Sequence, residues 1–150
     1  MPYSTCFQIR LTALATIIGV WAIAAFGDGA VRAADPEDVR QLNQTRECAE
    51  CDLTAAFLSD ADLRNVILES ADLTNANLNG ANLTGANLLS ANLSGVSLIG
   101  ATLFGADLRS ANLNGANLRF ANLNDALLQD AVLCNTTLPD GAVENRDCSE

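Results

Sequence analysis

Leucine recurs at every fifth position from Leu53 to Leu138 without a miss, which makes 18 consecutive units. In 14 of these units an alanine stands two residues before the leucine. The other four units have a different residue there: Cys51, Val66, Val96 and Thr136. The stretch ADLTNANLNGANLTGANLLSANLSG shows the unit in its plainest form, A-(D/N)-L-x-x. A five-residue period therefore governs residues 51–138, and any fold must satisfy it.

This period matches neither the 3.6 residues of a helical turn nor the two-residue alternation of an unbroken strand, so the chain must turn once per unit. In extended backbone the alanine and the leucine, two residues apart, point to one side, and the Asp or Asn between them points to the other. Gly, Ser, Asn or Asp ends most units, and these residues tolerate tight corners. The pattern predicts a β-solenoid with leucine and alanine inside and an Asp/Asn surface outside.

Residues 51–138 resemble the pentapeptide-repeat family on this motif. The resemblance implies an all-β solenoid, namely a right-handed quadrilateral β-helix with four units in each coil. On that geometry the 18 units make about four and a half coils. The same resemblance implies that the outward Asp and Asn residues stack into ladders along each side. One such ladder is Asp52, Asp72, Asn92 and Asn112.

The first 33 residues have the pattern of a secretory signal. Arg10 provides the positive end, residues 11–27 form an uncharged apolar run, and Val31-Arg32-Ala33 places small residues before a cleavage point at Ala34. We predict a signal peptide over 1–33 and no stable membrane insertion once it is cleaved. The alternative is an uncleaved anchor, because an apolar run of this length lies at the lower edge of a bilayer span.

The segments that flank the repeats have the composition of caps. In 34–50, Asp35 is a good helix N-cap, Pro36 suits the first helical position, and Val39 with Leu42 makes a short apolar stripe. We predict a cap helix at about 36–47 that packs on the leucines of the first coil. Residues 139–150 then form a C-terminal tail.

After cleavage the chain holds Cys48, Cys51, Cys134 and Cys148, an even number in an oxidising compartment. In the four-sided coil the two ends lie roughly 20 Å apart, whereas a disulfide needs Cα atoms within about 7 Å. We therefore expect Cys48 to pair with Cys51 and Cys134 with Cys148. The flanking segments TRECAECDL and CNTTLPDGAVENRDC also resemble the ends of exported cyanobacterial pentapeptide-repeat proteins of the thylakoid lumen and periplasm.

Charge and composition argue against several classes of function. Residues 34–150 contain 17 acids and six arginines, a net charge of −11 with no lysine or histidine, so no basic footprint for nucleic acid exists. The lack of histidine removes the commonest general base and metal ligand. We predict no catalytic, cofactor or metal site, because the Asp/Asn ladders lie on a convex rod.

Outward apolar residues are not required by the repeat, so they are candidates for contact with a partner. Four of them fall in the middle coils: Leu89, Ile99, Phe104 and Phe120. Four others lie near the ends, where we expect them to pack under the caps: Phe57, Ile67, Leu127 and Val132. Scattered single exposure is the alternative for the middle set.

These observations favour an exported, non-enzymatic structural or interaction scaffold with an unknown protein partner, in the thylakoid lumen or periplasm. One alternative is an acidic DNA mimic, since some pentapeptide-repeat proteins bind DNA gyrase in that way. The predicted signal and the all-leucine interior argue against it. A second alternative is a thiol oxidoreductase that uses the C-x-x-C pair of Cys48 and Cys51.

Overall fold

The computed structural model describes residues 34–148. This described part begins with helix α1 (Pro36–Thr45) and ends with two short strands, β1 (Thr136–Thr137) and β2 (Val143–Glu144). Between them each repeat unit contributes a single bridging residue rather than a long strand. The element order is therefore one helix, a stack of bridged coils and one hairpin.

The coils are stacked in a register of twenty residues. Parallel bridges join residues twenty apart, from the pair Glu47 and Ile67 to the pair Asn117 and Thr137. Twenty residues are four units, so each coil has four sides. The predicted ladder of Asp52, Asp72, Asn92 and Asn112 is confirmed, because these residues bridge in succession along one side.

Three backbone hydrogen bonds per unit hold one layer on the next. Leu93 N–H donates to Asn112 O at 2.8 Å, and Gly95 N–H donates to Asn114 O at 2.8 Å. In the opposite direction Asn112 N–H donates to Ala91 O at 3.0 Å. The inward leucine, the corner residue and the outward Asx position thus each supply one donor to the ladder.

Every corner is a tight turn with left-handed backbone at its second residue. Val96 N–H donates to Leu93 O at 3.2 Å and closes one such turn. The second corner residue of each unit from Glu50 to Asn135 has a φ between 52° and 70°. Positive φ at this place is the requirement of a type II turn. It explains why Gly, Asn, Asp and Ser dominate the last position of the repeat.

The same corner explains why the outward position of the repeat is usually Asp or Asn. Its side-chain oxygen accepts a hydrogen bond from the N–H two residues later, as in Thr74 N–H to Asp72 Oδ1 at 3.0 Å and Thr84 N–H to Asn82 Oδ1 at 3.1 Å. The N–H of the first corner residue makes no backbone hydrogen bond to a neighbouring layer, so the bond to the Asp or Asn side chain satisfies it within its own unit.

The leucine and alanine columns fill the axis. The inward leucines from Leu68 to Leu118 are fully buried, and the alanines between them are at most 1% exposed. Thr136 replaces alanine in the last unit, and its hydroxyl donates to Leu113 O at 2.7 Å. The core is thus one continuous apolar column along the solenoid.

Helix α1 covers the first coil. The Asp35 side chain accepts from Glu37 N–H, and Leu42 is 2% exposed within the core. In the coils above the first, the backbone N–H of each outward residue donates to a carbonyl oxygen of the layer below. Asp72 N–H, for example, donates to Cys51 O. At Asp52 the Asp38 carboxylate accepts that bond at 2.7 Å.

The helix is two residues shorter than predicted. It ends at Thr45, because Arg46 adopts left-handed backbone with φ 59° and its N–H caps Leu42 O.

The C-terminal tail covers part of the last coil with side chains of its own. Leu133 N–H donates to Asp147 Oδ2 at 2.9 Å, and Asn135 N–H donates to Asn145 Oδ1 at 3.1 Å. Strand β2 pairs antiparallel with β1 beside them. The tail therefore offers side-chain oxygens where another coil would have offered carbonyls.

The prediction that the outward apolar residues of the end coils pack under the caps is wrong. Phe57 is 90% exposed, and the other three are about two-fifths exposed: Ile67, Leu127 and Val132. These four side chains occupy outward positions and project away from the axis, so neither α1 nor the described part of the tail covers them.

The predicted signal peptide, 1–33, lies outside the described residues. Within 34–148 no helix combines the length and the apolar character of a membrane span.

Replacing Leu93 with Lys is expected to unfold the protein, because the ammonium group would be buried in the leucine column without a partner. The control is Asn114→Lys, which adds the same group at an exposed corner of the next layer. Circular dichroism and thermal melting give the comparison. A Leu93→Lys protein that melts like Asn114→Lys would contradict the inward assignment.

The Asp147 cap should make the thermal stability of the protein depend on pH in the acidic range. The hydrogen bond from Leu133 N–H, and then that from Arg146, holds the pKa of the Asp147 carboxyl below its ordinary value. A carboxylate with a lowered folded pKa stabilises the fold above its unfolded pKa, about 3.9, and loses that contribution as the pH falls further. Asp147→Asn should melt earlier than the unaltered protein at pH 7, and the gap should close below about pH 4. Glu50→Gln serves as the charge-matched control, and a gap that stays constant with pH would contradict the cap.

Candidate interaction surface

The outward ladders are engaged in holding the coil together. Beyond its corner bond, Asn92 donates through Nδ2 to Asp72 Oδ1 at 3.3 Å and to Thr74 Oγ1 at 2.8 Å. Asn112 repeats the contact one layer higher, with Nδ2 donating to Asn92 Oδ1 at 3.3 Å. Amide and hydroxyl groups thus link the Asp72 carboxylate to the two layers above it, and the ladder is a structural network.

The shifted carboxyl groups of the surface are held ionised. Arg64 Nε donates to Asp62 Oδ1 at 2.8 Å, and Arg109 makes the same bond to Asp107 at 2.8 Å. These side-chain bonds lower the pKa of both carboxyls, with backbone bonds adding to the effect. A carboxyl with a lowered pKa cannot act as a general acid near neutral pH.

The described residues also offer no cluster for a metal. Among residues 34–148 no group of three or more His, Cys, Asp or Glu side chains is placed to hold an ion.

The four cysteines among residues 34–148 form two local bridges. The structure links Cys48 to Cys51, with Cα atoms 5.3 Å apart, and Cys134 to Cys148, with Cα atoms 4.8 Å apart. Cys48 is fully buried and Cys51 is 5% exposed, both within the core cluster. A redox-active pair presents its attacking sulfur to solvent, and this pair does not.

The four middle-coil apolar residues lie at three corners rather than on one side. Ile99 and Phe104 occupy successive corners of one coil and are 38% and 43% exposed. Phe120 lies one layer above Gly100, beside Ile99, and is 69% exposed. Leu89 is two units before Ile99, so the four-sided register places it at the diagonally opposite corner, where it is half-buried. The structure thus groups Ile99 with Phe120, with Phe104 at the next corner.

Phe120 occupies a corner position that most units give to Gly, Asn, Asp or Ser, and a bulky residue with positive φ is a conformational outlier. It is the second residue of its corner, with φ 62°, and the same place in the two layers below is taken by Gly80 and Gly100. Left-handed backbone costs an L-residue other than glycine roughly 1–2 kcal/mol. The Arg119 guanidinium lies 4.9 Å from the centre of the Phe120 ring. The aromatic ring is therefore held on the surface against the preference of its own backbone.

A family model described as pentapeptide repeats matches this sequence in eight copies, over residues 47–85, 71–110 and 111–140. These matches cover more than half of the chain. The chain belongs to the pentapeptide repeat family. Pentapeptide repeat proteins form right-handed quadrilateral β-helices, and the twenty-residue register of the bridges fits that architecture. They are generally non-enzymatic structural or interaction proteins.

Solved structures of other family members resemble this chain. HetL, a pentapeptide repeat protein involved in heterocyst differentiation regulation in the cyanobacterium Nostoc, is 36% identical with a TM-score of 0.58. The match covers 65% of this chain and 51% of HetL, so the chain spans about half the length of HetL. A pentapeptide repeat protein from the cyanobacterium Cyanothece is 30% identical with a TM-score of 0.56, over 63% of this chain and 92% of its own.

A third similar structure comes from a plant compartment. A pentapeptide repeat protein of the Arabidopsis thaliana thylakoid lumen is 28% identical with a TM-score of 0.52. The match covers 69% of this chain and 73% of the Arabidopsis protein. No curated protein sequence matches the chain significantly.

Sequence reasoning missed several residues that shape the surface of this pentapeptide repeat protein. Arg119 stacks on Phe120, and Asp38, Asn145 and Asp147 cap the coil ends. The one sequence feature that indicated this part of the surface is Phe120 itself, which stands where the two layers below have Gly80 and Gly100. The capping residues carry no periodic signal, because each occurs once.

The two disulfides should be reduced in a definite order. Cys134 and Cys148 are half-buried, whereas Cys48 and Cys51 lie in the core. The second bridge also closes the longer loop, which is worth about 3 kcal/mol for about 15 residues in the chain-entropy model. Increasing reductant should therefore free Cys134 and Cys148 first and lower the melting temperature at that step. Alkylation with peptide mapping follows the bridges, and simultaneous loss of both would contradict this order.

Proposed function

We propose that this chain is an exported, non-enzymatic pentapeptide repeat protein that works as a protein-interaction scaffold in the thylakoid lumen or periplasm. The observation that carries the proposal is Phe120, an exposed aromatic residue kept in left-handed backbone where glycine would cost less. A conformational outlier that brings no gain to the core points to a role outside the fold. Contact with a partner is the role that an exposed aromatic side chain performs best.

Export is supported by two kinds of observation. Both disulfides require an oxidising compartment, and the similar Arabidopsis protein belongs to the thylakoid lumen. The domain organisation that goes with this proposal is a signal peptide over 1–33, a cap segment over 34–50, the repeats over 51–138 and a tail over 139–150.

The partner site that we propose comprises Ile99, Phe104 and Phe120, with Leu89 outside it. Ile99 and Phe120 share a corner and Phe104 stands at the next one, so a partner that lies across the side between these corners would contact all three. None of them contributes to the leucine column. Their replacement should leave the fold intact.

The non-enzymatic part of the proposal is supported by the electrostatics of the surface. The shifted carboxyl groups are stabilised in their ionised form, and the buried Cys48 and Cys51 form a disulfide within the core. A scaffold needs neither a proton donor nor a free thiol.

Binding and stability should respond in opposite directions at Phe120. Phe120→Gly should raise stability by about 1 kcal/mol, because it removes the strain of left-handed backbone, and it should weaken partner capture from the exported fraction of the organism. A variant with serine at Ile99, Phe104 and Phe120 should lose the partner, since a hot-spot aromatic residue contributes about 2 kcal/mol or more.

The matched control is Phe57→Ser, which removes a phenylalanine that is 90% exposed at the other end of the coil. It should capture the same proteins as the unaltered chain. Equal capture by the serine variant and by Phe57→Ser, at matched melting temperatures, would rule out this contact site.

A further inference from the structure

Among residues 34–148 nothing covers part of the upper edge of the last coil. We call the edge of residues 121–130 the ledge. Its inward residues Leu123, Ala126 and Leu128 are partly exposed, although they belong to the core column. The corresponding leucines one coil lower, Leu103 and Leu108, are fully buried. The ledge therefore presents apolar surface that every inner coil hides beneath the next layer.

The backbone of the ledge is also unpaired. One coil lower, Leu103 N–H donates to Asn122 O at 2.8 Å and Gly105 N–H donates to Asn124 O at 3.0 Å. In the part of the chain that the structure describes, the equivalent N–H groups of Leu123, Asp125 and Leu128 have no hydrogen-bond partner. Unpaired donors along a β-edge form a template for another extended segment.

The carbonyls of the ledge complete this template. In the coil below, Ala101 O accepts from Asn122 N–H and Ala106 O accepts from Leu127 N–H, both at 2.9 Å. Over residues 34–148, Ala121 O and Ala126 O accept no such bond. Donors and acceptors thus alternate along the ledge with the spacing that holds each inner layer.

Other parts of the two ends are covered. At the first coil Leu58 and Leu63 are only 7% and 6% exposed. At the last coil the tail supplies Asp147 to Leu133 N–H and Asn145 to Asn135 N–H. Through residue 148 the tail therefore covers the side that follows the ledge and does not reach the ledge itself.

Charge determines which occupant fits. Asp125 and Asp130 stand at the corners of the ledge, and neither carboxylate forms an ion pair within the described residues. The arginines nearby are engaged, Arg119 with the Phe120 ring and Arg146 with Asp147. A second copy that stacked ledge on ledge would bring the same carboxylates into contact and be repelled. A basic segment would pair with them.

We propose that the ledge binds an extended, basic segment of a partner protein by β-addition to the open coil. The segment's backbone would pair with Leu123, Asp125 and Leu128, its apolar side chains would cover the two leucines, and its Lys or Arg side chains would face Asp125 and Asp130. This proposal rests on the scaffold function and adds a second surface, at the coil end rather than at the aromatic corners.

A synthetic probe tests the ledge without a known partner. The probe is a peptide of two units Ala-Asn-Leu-Arg-Gly, and the matched control peptide has Glu in place of each Arg. Amide hydrogen exchange of the disulfide-bonded protein is measured with each peptide. At a concentration about ten times its Kd, the Arg peptide should slow exchange at Leu123, Asp125 and Leu128 about tenfold, since about a tenth of the sites stay open.

Charge is tested with the same peptides. The Glu peptide should bind about fivefold or more weakly, because opposite charges at the corners become like charges. The double variant Asp125→Asn with Asp130→Asn should remove this difference, whereas Asp60→Asn, at a corner of the first coil, should preserve it.

Unchanged exchange at all three amides with the Arg peptide would overturn the proposal. So would slow exchange without any peptide that depends on protein concentration, because the occupant would then be a second copy. The pull-down with the serine variant at Ile99, Phe104 and Phe120 does not use ledge residues. A negative pull-down would therefore count against the scaffold contact site, and a negative exchange experiment would count against the ledge.

Discussion

A corner that repeats every five residues is the constraint on which the rest of the molecule depends. In each unit the second corner residue adopts left-handed backbone, with φ between 52° and 70° from Glu50 to Asn135. Because the corner is the same each time, the extended sides return to the same orientation after four units. Only then do the leucines fall in columns and the layer bonds of about 2.8 Å form along the whole stack. The Asx side chain supports this corner by accepting the N–H that the ladder leaves unpaired.

A coil of this kind must end, and the protein ends it with side chains that take the place of a missing layer. Asp38 accepts the Asp52 N–H at the bottom, and Asp147 accepts the Leu133 N–H near the top. A carboxylate is a good substitute because it is acceptor-only and bonds strongly to backbone N–H groups. The disulfides then hold both caps close to the coil, since each bridge joins a cap or tail residue to the repeat beside it. The acidic composition thus has a structural part as well as a surface part.

The regular interior was predictable from the sequence because it is periodic. The leucine column, the inward Cys51 and the ladder from Asp52 to Asn112 all follow from the spacing once four units make a coil. The ends were less predictable, since Asp38, Asn145 and Asp147 act once each and through side-chain geometry. The exposure of Phe57 was mispredicted because an outward position points its side chain away from the coil, even in a unit close to a cap. The pairing of Arg119 with Phe120 depends on rotamers that no spacing rule contains.

The division between inside and outside also explains where function is to be sought. An inward change disturbs a column in which every leucine contacts the next layer, so variation there carries a large cost in stability. An outward side chain contributes hydrogen bonds at its corner and along its ladder but little to the core, so a change there costs less. Departures from the repeat that bring no structural gain are therefore the informative ones. Phe120 is such a departure, since it accepts backbone strain, presents its ring to solvent and holds an arginine against that ring. The ledge follows the repeat but lies at its end, where the described part of the tail caps the neighbouring side and leaves Leu123 and Leu128 partly exposed. In a fold built from 18 similar units, Phe120 and the ledge are therefore the two places where we look for a partner site.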